Sequence, residues 1–151
     1  MRRVAFTLLI LLALRGQAAA SLGGTVASVE TDRVQMRSAL VKIQRVDSYS
    51  VHEMLSPTGT TIREYYGANG VVFGVAWDGE WTPDLRQLFG AYFDQYQRAS
   101  TVARRAHKMR GQLAIDDNGL IVRAGGHAHS SSGIAYAPAL VPAGVSADVV
   151  R

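Results

Sequence analysis

Cysteine is absent from this chain. Its folded part must therefore hold together by its core, without disulfides, and no thioether lipid anchor can be attached. Beyond the N-terminus no apolar run approaches the ~20 residues that a membrane-spanning helix requires. Internal repeats are missing. Ser130-Ser131-Ser132 lacks a nucleophile-elbow pattern. The pairs Gly23-Gly24 and Gly125-Gly126 lack the strand–glycine–helix setting of a nucleotide loop. No cofactor is expected. A true cationic excess is missing too. Of 16 Lys and Arg, three (Arg2, Arg3, Arg15) lie in the N-terminal segment, leaving 13 against 12 Asp and Glu. The apparent net charge of +4 thus shrinks to about +1, which removes the argument for a nucleic-acid partner.

What is present begins with an address. Arg2 and Arg3 precede an apolar run from Val4 to Leu14, and Ala18-Ala19-Ala20 supplies small residues for cleavage. This is the pattern of a secretory signal peptide over residues 1–20, followed by a single domain over 21–151. The expected location is the periplasm, with secretion as the alternative. Arg15, directly behind the apolar run, keeps a third outcome open, an uncleaved anchor.

Val26, Val29, Met36, Leu40 and Ile43 recur at helical spacing, which predicts a helix over part of 26–43, with extended chain from Val41. Three strands follow, over 49–55, 60–66 and 71–77. They are separated by Ser56-Pro57-Thr58-Gly59 and by Gly67-Ala68-Asn69-Gly70, both strong turn sequences. Thr82-Pro83-Asp84 predicts a helix start, with Thr82 as cap. Leu85, Leu88, Phe89, Tyr92, Phe93 and Tyr96 then hold one apolar stripe without interruption. The stripe extends toward Met109, with a break expected at Ser100-Thr101. Residues 113–115 and 120–124 read as a hairpin, Gly125-Gly126 as its interruption, and 134–137 as a short last strand. The fold class is α+β: an antiparallel meander with a long amphipathic helix on one face. Pairing Leu55 with Thr60 and Tyr66 with Val71 assigns Val51, Leu55, Ile62, Val71, Phe73, Val75 and Trp77 to that face.

An ordered set of short motifs runs through the chain. It comprises Leu22-Gly-Gly, Ser28-Val-Glu-x-Asp-Arg33, Tyr49-x-Val-His-Glu53, Arg63-Glu-Tyr65, Val75-Ala-Trp77, Pro83-Asp-Leu-Arg-Gln-Leu88, Gly125-Gly-His127 and Ala135-Tyr-x-Pro138. The set resembles a family of exported proteobacterial proteins, domain of unknown function 2844. The resemblance implies a bacterial, exported, single-domain protein. It implies no activity, substrate or site.

The candidate sites come from residue chemistry alone. Under the register above Glu53 and Glu64 share the apolar face. Two carboxylates in such surroundings can split their pKa values and act as acid and base, or can instead pair with Arg45, Arg63 or Arg86. His127 and His129, two apart, share a face of extended chain and could grip a metal, with His52, His107, Asp116 or Asp117 completing it. His52 is expected on the surface opposite Arg63. Arg104, Arg105, Lys108 and Arg110 form a basic patch that could meet lipopolysaccharide, anionic lipid or an acidic partner, and that also complements the negative end of a helix. Asp78-Gly-Glu-Trp81 and an outward Tyr65 could form an aromatic rim. The reading that best fits these signals is a non-enzymatic envelope accessory or binding module. The alternative is a periplasmic metal- or carboxylate-dependent hydrolase. A protein partner, or a homo-oligomer formed through a sheet edge, completes the expectations.

Overall fold

A computed structural model describes residues 22–107 and 112–151. The expected signal segment, residues 1–20, lies outside them, as do Lys108 and Arg110 and the side chain of His107.

The strands are β1 (Ala39–Val46), β2 (Tyr49–Leu55), β3 (Thr61–Gly67), β4 (Val72–Gly79), β5 (Gln112–Asp117), β6 (Leu120–His127) and β7 (Ser130–Tyr136). They form one antiparallel sheet in the order β1-β2-β3-β4-β7-β6-β5. Helix α1 (Val26–Gln35) precedes it. Between β4 and β5 come α2 (Leu85–Phe89), a 3-10 turn (Gly90–Tyr92) and α3 (Phe93–His107). The expected α+β class is therefore correct.

Asp84, and not Thr82, caps α2: its carboxylate accepts from the backbone N–H groups of Arg86 and Gln87. The helical segment breaks at Gly90, whose φ of 45° lies in the left-handed region. It does not break at Ser100-Thr101. Those two hydroxyls donate to the Gln97 carbonyl inside a continuous α3.

The register differs from the expected one by one residue at both turns. Leu55 pairs with Thr61, and Tyr66 with Val72. Thr60 belongs to the first turn because its N–H donates to Ser56 Oγ and its hydroxyl to the Trp81 carbonyl. A bulge then sets Phe73 outside the ladder between Tyr65–Gly74 and Tyr66–Val72. Since side chains alternate, the first slip takes Val51 off the expected face and brings Met54 to it. The second takes Phe73 to the other side beside Tyr65, with Val72 facing the helices instead, and the bulge returns Val75 and Trp77 to the expected face with Ile62.

The sheet thus has two cores. On the helix face Met54, Ile62, Val75 and Trp77 pack with Leu88, Phe89, Ile115 and Val122. On the other face Tyr65, Phe73 and Ala76 are covered by the C-terminal segment, chiefly Val150 with Leu140, Val141, Val145 and Val149. That segment approaches closely because residue 74 is glycine. A Cβ there would lie 2.6 Å from Val150 Cγ2. Gly125-Gly126 does not interrupt β6, and the serine triplet opens β7, so the connecting turn is only Ala128-His129.

Candidate functional site

The register decides the fate of the two carboxylates. Glu53 lies opposite Arg63 on the tail-covered face, and Glu64 lies fully buried on the helix face. The expected pair on one face is not formed. Arg63 Nε donates to Glu53 Oε2 at 2.7 Å instead, with both side chains about one-third exposed. Arg86 is engaged elsewhere, its guanidinium 4.3 Å above the Phe93 ring. Opposite Glu64 stands His52, where Arg63 was expected to face it. Its Nε2 is 2.9 Å from the Tyr66 hydroxyl and the two rings meet edge to face. Burial holds the His52 pKa below its ordinary value of 6.5.

The two turn histidines take different partners. His127 Nδ1 lies 3.1 Å from the Ala128 carbonyl, and His129 Nδ1 lies 2.7 Å from Glu80 Oε1. His129 sits at φ 60° in the two-residue turn, which breaks the extended geometry that would align the imidazoles. Among the described residues no three His, Cys, Asp or Glu side chains gather as a metal site. Asp116 and Asp117 lie exposed on β5, at one edge of the sheet. Glu80, Trp81 and His129 do come together: the Trp81 ring meets the His129 ring edge-on at 5.9 Å. Tyr65 contributes no rim, since it is 3% exposed beneath the C-terminal segment.

A feature not anticipated is a groove of about 750 Å³ beside that segment. Its lining includes the apolar Trp77, Leu113 and Ile134, the four arginines Arg63, Arg104, Arg123 and Arg151, and the acidic Asp78. Arg123 is held in place because its Nη1 donates to the carbonyls of Ile115 and Val122, at 2.7 and 2.9 Å. Arg63 and Arg151 also line a second cleft of about 580 Å³ on the far side of the segment, together with Glu53. The Trp77 indole lies flat on Gly133, and its N–H donates to Ser131 Oγ at 3.2 Å. That oxygen in turn lies 2.7 Å from the Thr82 hydroxyl. Guanidinium forks match carboxylates and phosphates, and the apolar walls suit a hydrocarbon body. Of the expected basic patch Arg104 reaches this groove, and Arg105 is exposed on α3. Alternation alone could have placed Arg63 and Arg123 on one face. Bringing them near each other required the non-sequential strand order β4-β7-β6.

These features define a class: a small α+β protein whose sheet is covered by helices on one face and by its own tail on the other, with arginine-bordered clefts beside the tail. Residues 18–150 match the family described as protein of unknown function (DUF2844), and the chain belongs to that family. No curated protein and no solved structure matches it. No described helix is long and apolar enough to cross a membrane.

Proposed function

We propose that this protein is an exported, non-enzymatic binding module of the bacterial envelope, working in the periplasm after removal of residues 1–20. The reading is that the arginine-bordered groove holds an amphiphile with an anionic head and an apolar body. The observation supporting it is that four arginines, Arg63, Arg104, Arg123 and Arg151, line one groove of about 750 Å³ together with Trp77, Leu113 and Ile134. Charge-assisted hydrogen bonds secure the head and apolar burial the body. Contact with another protein through an open sheet edge belongs to the same accessory role.

Calorimetric titration with laurate, beside the neutral dodecyl maltoside, tests the groove. Laurate binds and the maltoside does not. Arg104→Glu combined with Arg123→Ala weakens laurate by roughly tenfold to a hundredfold, the scale of one charge-assisted hydrogen bond. Equal binding of the two amphiphiles, or none of either, overturns the reading. Export is tested separately by mass spectrometry of the protein from its native host, where the expected first residue is Ser21.

A further inference from the structure

Among the described residues the sheet ends in two strands whose outer sides pair with nothing, β1 and β5. The two edges differ in chemistry. All eight β1 residues are exposed, including Leu40, Val41, Ile43 and Val46 at 40–57%. Its charged residues, Lys42 and Arg45, are both cationic. Those charges and the bulge at Val41 are devices that discourage pairing between like edges. A symmetric β1–β1 pair would also bring four cations together. The charged residues of β5 are Asp116 and Asp117, both acidic. Beside it runs a groove of about 390 Å³ whose apolar wall is Ala99, Val102, Ala103 and Ile115. Val102 is 67% exposed there.

We propose that copies of this chain associate end to end, β1 of one molecule adding antiparallel to β5 of the next, with Lys42 opposite Asp116 and Ile43 at the α3–β5 groove. This rests on the reading that an open edge is a contact surface. The alternation of the strands fixes which faces meet, and the charges choose among the registers that remain. Ile43 lies opposite His52 and so points to the helix face, while Lys42 lies opposite Glu53 and points to the tail face. On β5, Ile115 belongs to the helix-face core and Asp116 points the other way. Setting Ile43 against Ile115 therefore brings Lys42 to Asp116 and keeps the helices of both molecules on one side. Each molecule carries one edge of each kind, so the contact is heterologous and repeats until a ring closes.

Sedimentation of the protein, purified after expression of the full chain, tests this. The expected result is mass that grows with concentration beyond a dimer. Lys42→Glu and Asp116→Lys each weaken association by roughly a hundredfold, since like charges then face each other at the contact. Mixing the two variants restores it, because every junction in an alternating array is again complementary. Restoration also shows that both variants are folded. A strictly monomeric wild type, a closed dimer that Asp116→Lys leaves intact, or a mixture that stays dissociated overturns the proposal. Laurate binding, measured at dilution, stays unchanged in both variants. A wild type that stays monomeric yet binds laurate therefore counts against the edge pairing alone.

Discussion

Replacing Gly133 by alanine drives a methyl group into the Trp77 indole. The two residues are cross-strand partners on the helix face. A Cβ at position 133 would stand 2.3 Å from Cζ2 and 2.5 Å from Cη2 of that ring. Ordinary carbon contacts are about 3.5–4.0 Å, so the ring must retreat by more than an ångström. It has little room, being 3% exposed with the Phe89 ring 6.1 Å away. Retreat also stretches the indole N–H bond to Ser131 Oγ, already 3.2 Å long. Overpacking of this kind costs about 1–3 kcal/mol and the lost hydrogen bond about 1. The stiffer unfolded chain returns about 0.4–1 kcal/mol. The net expectation is a loss of about 1–3.5 kcal/mol. Urea unfolding reads it as a midpoint lowered by roughly 1–2 M at an unchanged slope. Tryptophan emission reports the same event, because Trp77 is buried while Trp81 is 53% exposed. Laurate affinity falls as well, since Trp77 and Gly133 both line the groove. A stability loss below about 0.5 kcal/mol with unshifted emission would refute the reasoning.

Two further perturbations address the tail and the titrating groups. The Tyr65 hydroxyl donates to the Arg151 carbonyl at 2.6 Å and accepts from the Arg151 N–H at 3.2 Å. Tyr65→Phe removes both bonds, with a cost of about 1–2 kcal/mol. Hydrogen exchange over residues 145–151 should rise more than exchange in β4, and uniform acceleration would contradict the pinning role. For pH, burial lowers the His52 pKa below 6.5, so the unfolded chain binds the extra proton first and stability declines as pH drops below 6.5. Burial raises the Tyr65 pKa above 10.0, so the folded chain keeps a proton that the unfolded chain sheds, and stability declines as pH climbs past 10.0. Glu30, lowered from 4.5 chiefly by its hydrogen bond to Arg33, contributes stability that is lost only below 4.5. His52→Gln should therefore flatten the urea-midpoint profile between pH 4.5 and 6.5, and an unaltered slope there would remove His52 as its source.

Local signals carried the parts of this fold that are decided locally. The stripe from Leu85 to Tyr96 predicts a helix because each turn buries the same side, and Leu88 and Phe89 are fully buried. Ser146 caps the last 3-10 turn by accepting from the Asp148 N–H, a local role its hydroxyl suits. The errors arose where one hydrogen bond outside the backbone ladder decides a parity. The Ser56 hydroxyl draws Thr60 into the turn, and the bulge extrudes Phe73. Neither residue type announces this. Serine and threonine are ordinary turn residues, and phenylalanine is an ordinary strand residue.

The consequence for the site is larger than the one-residue shift that causes it. With Leu55 opposite Thr60, Glu53 and Glu64 would share a face and resemble an acid–base pair. With Leu55 opposite Thr61, Glu53 becomes the partner of Arg63 at a cleft mouth, and Glu64 stays alone in the helix-face core. Arg63 keeps the face opposite Ile62 in either register, and Arg123 projects on that face too. Of the two carboxylates the slip moves Glu53 alone, away from Glu64 and onto the face of Arg63. That linkage is itself checkable. A chain in which Arg63 and Glu53 fail to couple in a double-mutant cycle would be one whose second strand runs in the other register, with Glu53 on the helix face beside Glu64.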